Sequence, residues 1–238
     1  MPYQVSDPVR VALVAEGPTD LVVVEAILRS VLEDREFVIK QLQPESSVAF
    51  GPLGGGWSGV YYWCRQSAKR GGGRLGGDES WSIGHDLLIL HCDADVAGQD
   101  YESAGIQPAA CDEALPCEKP CPPAYATIAV LRNVVLSWGG ETTIPPRIVL
   151  CIPSKATEAW VVTALCPTDQ EVQKGTAFEC HSNPENRLGQ QPTAKRFRKR
   201  TADYRQRLHV LAKAWPKVAS VLGEAKRFQS ELIAALPS

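Results

Sequence analysis

Apolar residues along this chain fall into short unbroken runs, separated by stretches in which they recur at helical spacing. Val11 to Ala15 (VALVA) is the first run. An uninterrupted apolar run of strand length predicts a strand buried on both faces, the habit of parallel sheets. Glu16-Gly17-Pro18 breaks it; Thr19 then fits a helix N-cap and Asp20 the first turn, where acids are favoured. Leu21, Val24, Leu28, Val31 and Leu32 continue as one helical face, and Phe37 to Leu42 predicts a second strand. Asp86 to Cys92 (DLLILHC) and Arg147 to Ile152 (RIVLCI) predict two more buried strands. Trp57 to Ala68 reads as a short aromatic-rich helix. Tyr125 to Trp138 reads as a helix ended by Gly139-Gly140, and Pro153-Ser154 opens another that runs to Leu165. Residues 167–193 read as polar loop, and Thr193 to Leu236 as mostly helix in two segments broken near Trp215-Pro216. Gly71 to Gly77 (GGGRLGG) lacks P-loop spacing and reads as a linker or mobile lid. Residues 96–123 form a long Pro- and Cys-containing loop, a kind that is either functional or poorly ordered.

Strands alternating with helices imply an α/β fold, a mainly parallel sheet flanked by helices. Ligands of such sheets bind beyond the carboxyl ends of the strands. Three of the buried runs end in polar residues at that edge: Glu16 after the first, Asp93 and Asp95 after the third, and Ser154 to Glu158 after the last. The expected organisation is one α/β domain over residues 1–166, with insertions at 44–85 and 96–123, and then a linker and helical C-terminal extension over 167–238.

Charge alters this picture at the C-terminus. The chain of 238 residues carries a net charge of −2. From Thr193 onward eleven Lys and Arg face only Asp203, Glu224 and Glu231, so the tail is +8 and the rest of the chain −10. Two explanations stand side by side: a polyanionic partner such as nucleic acid, or an amphipathic helix docked on an acidic body. Lys195, Arg196, Arg198, Lys199 and Arg200 are the candidate nucleic-acid contacts. Eight cysteines are present, but Cys111, Cys117 and Cys121 miss the paired C-x-x-C spacing of zinc sites, so structural zinc is not expected. A disulfide framework is not expected either, because the N-terminal stretch shows no export signal. No run approaches the roughly 20 apolar residues of a membrane helix, which points to the cytoplasm.

Asp93 and Asp95 sit at i and i+2, so in extended chain both point the same way. Two carboxylates so placed repel each other unless a cation lies between them, and Mg²⁺ takes oxygen ligands of this kind. Strand-end aspartates also serve turns, so this pair alone is weak. Glu16 adds a third acid at the same sheet edge, with Gly17 allowing the backbone to turn beside it, and Asp20 can face the same space. Like charges gathered this way raise each other's pKa, a cost that a metal removes.

EGPTD (16–20) after the first strand, followed by DAD (93–95) after a later one, resembles the TOPRIM domain of topoisomerases, primases and small nucleases. PSKATEAW (153–160) before a basic tail is similar to stand-alone TOPRIM proteins related to nucleases of the overcoming-lysogenization-defect type. The resemblance implies a TOPRIM-like (Rossmann-like) fold and a nuclease using one or two Mg²⁺ or Mn²⁺ ions. It further implies that Glu16 binds metal and assists proton transfer, that Asp93 and Asp95 hold the metal, that Asp20 and Glu158 join the metal set, and that Lys155 or Lys195 supplies a basic catalytic group. An ATPase partner in defence against phage is implied as well, and a second copy of the chain is a further candidate partner. The chain departs from the pattern after the D-x-D pair, where Val96-Ala97-Gly98 lacks a hydroxyl residue. Two other classes compete: a non-catalytic TOPRIM-like regulatory or scaffolding subunit, and an aspartate phosphatase, which would need its D-x-D after the first strand. Ser154 lacks a G-x-S-x-G context, and no Walker A motif is present.

Overall fold

The computed structural model describes residues 7–45, 53–110, 112–191 and 198–237. Four strands form its sheet: β1 (Val9–Val14), β2 (Phe37–Gln43), β3 (Leu87–His91) and β4 (Ile148–Cys151). The helices are α1 (Pro18–Leu32), α2 (Gly56–Arg70), the single-turn α3 (Glu79–Ser82), α4 (Tyr125–Trp138), α5 (Glu158–Leu165), α6 (Pro184–Gln190), α7 (Thr201–Val221) and α8 (Gly223–Ala235). All strands are parallel, in the order β2-β1-β3-β4. The chain is therefore α/β, an open parallel sheet of the Rossmann-like type.

The two-residue period of each strand divides its side chains between two cores. Val11, Leu13, Leu87, Ile89, Val149 and Cys151 face a layer made of α1, α5, α7 and α8. Ala12, Val14, Leu88, Leu90, Ile148 and Leu150 face α2 and α4, with Trp57, Tyr61, Trp138 and Tyr101 packed ring against ring. From β1 the chain moves to one neighbour, β2, through α1, and then returns to the other side of β1 for β3. The crevice between the carboxyl ends of β1 and β3 is thus the topological switch point, where open α/β sheets bind ligands.

Several expectations need correction. Residues 167–193 are not plain loop: a 3₁₀ segment spans Val172–Cys180 and α6 follows it, both anchored by Val172, Phe178 and Leu188 in the core. The C-terminal helix does not break at Trp215-Pro216, for α7 runs through Pro216. Trp215 and Val218 are buried on either side of the proline, and that packing outweighs one missing N–H. The break falls instead at Leu222, whose backbone is extended, and the amides of Gly223 and Glu224 donate at 2.8 Å to the two carboxylate oxygens of Glu179. The helix expected from Pro153-Ser154 starts only at Glu158. Cys121 and Cys180 are joined in a disulfide, which spacing alone did not indicate, since 59 residues separate them. Cys117 is a free, exposed thiol, and Cys111 lies outside the described residues.

Residues 71–77 are neither linker nor lid. Leu75 is fully buried and its amide donates to the Gly139 carbonyl. The Arg74 guanidinium grips Glu141 at 2.6 and 2.9 Å, while Gly76 N donates to the same carboxylate at 2.8 Å. The basic tail is docked as well: α7 lies along α1, with Arg205 paired to Glu25, and Arg132 of α4 reaches Glu231 of α8 at 2.9 Å. No described helix is long and apolar enough to cross a membrane.

One pH dependence follows from the α8 start. Glu224 is buried there and its carboxyl is pushed up to about 7, chiefly by burial, with Arg227 opposing and the nearby Glu179 adding to the rise. The folded chain therefore holds a proton that the unfolded chain, at 4.5, releases. Stability linked to that proton is fully present below pH 4.5 and is lost as pH rises through about 7. Glu224→Gln, which mimics the protonated form, is expected to raise Tm at pH 8 and leave it little changed at pH 4.5. Thermal melts of both proteins at the two pH values check this; a gain confined to pH 4.5 would reverse the sign of the argument.

Candidate metal-binding acidic site

Glu16 follows β1 and Asp93 follows β3, so the two acids meet across the switch point. Glu16 Oε1 accepts the Asp93 amide at 2.7 Å. Asp20 sits at the start of α1, where its Oδ2 accepts the Gly17 amide at 2.9 Å; this closes the turn that lifts the chain out of the sheet. Glu158 opens α5 and is 1% exposed. Its Oε1 accepts from the Tyr204 hydroxyl and from Lys199 Nζ, each at 2.9 Å, while its Oε2 is buried with no hydrogen-bond partner.

Two residues that the sequence reading did not single out bind this set together. His91, the last residue of β3, is fully buried. Its Nε2 lies 3.2 Å from Asp93 Oδ1 and 2.9 Å from Thr157 Oγ1, and its Nδ1 lies 3.8 Å from Asp20 Oδ2. Thr157 precedes Glu158 and reaches Asp20 and Asp93 as well as His91. A signal for His91 was available: a histidine inside a both-faces-buried strand must find polar partners, and two residues on in the same direction is Asp93.

The electrostatics follow from crowding acids in a buried crevice. Burial lifts the Glu16 carboxyl well above the ordinary range, and the Asp93 charge adds to it. Burial likewise raises Asp93, against the hydrogen bond from His91. His91 moves the other way from most buried histidines: burial disfavours its charged form, but Asp20, Asp93 and Glu16 outweigh that and push it up to about 10. One imidazole thus faces three carboxyls, Glu16, Asp20 and Asp93, and of these Glu16 and Asp93 are raised by burial.

Asp95 departs from the expected shared face with Asp93. The chain leaves extended geometry after Asp93 and enters a 3₁₀ turn at Ala94–Val96, so Asp93 is buried and Asp95 exposed. Asp95 is still raised, first by partial desolvation, with Lys199 opposing and Glu158 adding, so it belongs to the same neighbourhood. Lys155 does not enter the crevice contacts; its ammonium pairs with Glu118 of the 96–123 loop. Of the basic stretch, Lys195 and Arg196 lie outside the described residues, Arg198 and Arg200 are exposed, and Lys199 folds down onto Glu158. The Glu158 charge raises Lys199 despite its partial burial.

Among the described residues no group of three or more His, Cys, Asp or Glu side chains forms a ready-made cation cage. The carboxylates are turned onto amides, Thr157 and His91 instead. Their chemistry nevertheless fits a hard divalent cation: the donors are carboxylate oxygens, the acids outnumber the cationic groups His91 and Lys199 beside them, and Glu158 Oε2 is a buried acceptor without a partner. Glu16, Asp20, Asp93 and Glu158 are the residues that would hold it, with Asp95 beside them. No family model, curated protein or solved structure matches the chain.

Proposed function

We propose that this chain is a divalent-metal-dependent nuclease of the TOPRIM type, related to the nucleases of the overcoming-lysogenization-defect type, hydrolysing phosphodiester bonds of DNA or RNA with Mg²⁺ or Mn²⁺. The observation that carries the reading is the gathering of Glu16, Asp20 and Asp93 at the switch point, beside the unpartnered Oε2 of Glu158. Bound at these oxygens, a divalent cation supplies neutralisation of the phosphate and a more acidic water. The chain's own residues do the rest. Glu16, at the carboxyl end of β1 against the Asp93 amide, is placed to take up the proton of attacking water. Lys199, half exposed at the mouth of the site, offers an ammonium to a phosphate oxygen. Arg198 and Arg200 beside it are exposed and free to follow a nucleic-acid backbone, which makes binding weaken steeply with salt. Action beside an ATPase in anti-phage defence is part of the same proposal and rests on the family resemblance.

A second reading draws on a different observation. His91 and Lys199 already lie against these acids, so the crevice is partly compensated from within, as suits a non-catalytic TOPRIM-like subunit that binds an ATPase or nucleic acid. One experiment separates the two. Plasmid, single-stranded DNA and tRNA are incubated with the chain and Mg²⁺ or Mn²⁺, and wild type is compared with Glu16→Ala. Cleavage that needs metal and is lost in Glu16→Ala is the expected result. Wild type that cuts none of them, alone or with the product of its neighbouring gene, refutes the nuclease reading in favour of the second.

A further inference from the structure

Thr157 stands immediately ahead of α5, where a threonine ordinarily caps the helix it precedes. It makes no such cap bond, and its own backbone is already helical, with φ −53° and ψ −25°. It is 1% exposed. Its polar atoms are turned the other way, into the acidic crevice. Oγ1 lies 3.1 Å from Asp20 Oδ1, 3.2 Å from Asp93 Oδ1 and 2.9 Å from His91 Nε2, and the amide donates to Asp93 Oδ1 at 3.2 Å.

A hydroxyl has one proton to give and two lone pairs to receive with, so only one of the two carboxylates can take the proton. Asp93 Oδ1 already accepts the Thr157 N–H. Asp20 Oδ1 has no other donor among the described residues, so the hydroxyl proton goes to it. The hydroxyl oxygen then shares the N–H of His91 Nε2 with Asp93 Oδ1, at 2.9 and 3.2 Å. Every polar atom of Thr157 on this side is used once, and the two carboxylates, which arise 73 positions apart in the chain, are gripped by a single residue. All the contacts to Asp93 fall on Oδ1 and leave its Oδ2 outside the network.

We infer that Thr157 is a positioning residue: it fixes the side-chain directions of Asp20 and Asp93 so that the pair can receive a divalent cation, without touching the cation or substrate itself. The inference rests on the metal-site reading above. Groups that orient metal ligands from behind usually matter by about 10- to 100-fold in metal affinity. A residue that served only to start α5 would not move that quantity.

The test is calorimetric titration of Mn²⁺ and of Mg²⁺ into the full chain, with thermal melts alongside, for wild type and for Thr157→Ser, Thr157→Val and Thr157→Ala. Serine keeps the hydroxyl and is expected to bind close to wild type. Valine keeps the shape and the amide but loses the hydroxyl, and is expected to bind Mn²⁺ about 10- to 100-fold more weakly; alanine moves in the same direction and serves if the valine variant does not fold. Undiminished affinity in folded Val and Ala variants overturns the positioning role alone. A loss in Ser equal to that in Val overturns it too, since the hydroxyl would then not be what matters. Absence of any binding by wild type overturns the metal-site reading itself, and the positioning role with it.

Discussion

Asp93→Asn is expected to lower metal-dependent phosphodiester cleavage by about 10³-fold, the upper end of what removal of one preorganised electrostatic group costs. The substitution is chosen because it changes charge and almost nothing else. Asparagine keeps the size of the side chain and a carbonyl oxygen that can accept the Thr157 amide and the His91 Nε2–H, now held by Asp93 Oδ1. It removes the negative charge that a cation needs. Asp95→Asn is the comparison: Asp95 is exposed and its carboxylate accepts no hydrogen bond among the described residues, so a smaller loss is expected. Stability has to be read at the same time. Breaking a buried charge pair typically costs about 3–5 kcal/mol because the partner charge is stranded. Here Asp20 and Glu16 remain beside His91, so the cost falls below that range. The measurement is initial cleavage rate at matched folded fraction, with Tm recorded for each protein. An Asp93→Asn variant that is folded and cuts at the wild-type rate removes Asp93 from the site.

What the sequence made legible, and what it hid, divides along a physical line. The elements that carry the acids were readable because both-faces-buried strands leave unbroken apolar runs, and VALVA and LLILHC end at Glu16 and Asp93. The bounds of α4 were readable because Gly139-Gly140 stops it. The mutual placement of Asp93 and Asp95 was misread because extended geometry was carried one residue too far: the 3₁₀ turn at Ala94 rotates Asp95 away. His91 was hidden by its apolar neighbours, and Thr157 by looking like an ordinary residue at a helix start. Lys199 was read as a nucleic-acid contact, but its nearest partner is Glu158, a tertiary contact 41 positions away that no local pattern encodes. The Cys121–Cys180 bond is the same kind of long-range fact. Local periodicity thus located the acids; which oxygen faces which donor came only from the packing of α1, β3 and α5 against one another.

The Gly71–Gly77 segment gives the second large effect, and here the expected quantity is stability. Gly140, just past the end of α4, has φ +67°, and a Cβ built on it would overlap the Gly73 carbonyl oxygen and stand 3.2 Å from the carbonyl carbon. The obstacle is backbone, and that backbone cannot retreat cheaply. Gly73 N is bonded to the Ala68 carbonyl, Leu75 N to Gly139, and Arg74 to the buried Glu141. Gly72 provides an internal control, since it has nearly the same conformation, φ +69°, with nothing within 4 Å of its Cβ position. Gly72→Ala should therefore register only the left-handed penalty, about 1–2 kcal/mol. Gly140→Ala should carry that penalty and the backbone overlap besides, for a total of more than about 3 kcal/mol. At about 2–4 °C per kcal/mol for a chain of this size, the first lowers Tm by about 2–8 °C and the second by at least about 6–12 °C. Because folded domains are typically stable by only about 5–15 kcal/mol, Gly140→Ala could leave little folded protein at all. The informative quantity is the difference between the two variants in one melting experiment, because the shared conformational cost cancels in it. Equal shifts would mean that the 71–77 segment yields freely, as a linker would, and that the close approach of Gly73 to Gly140 holds nothing in place.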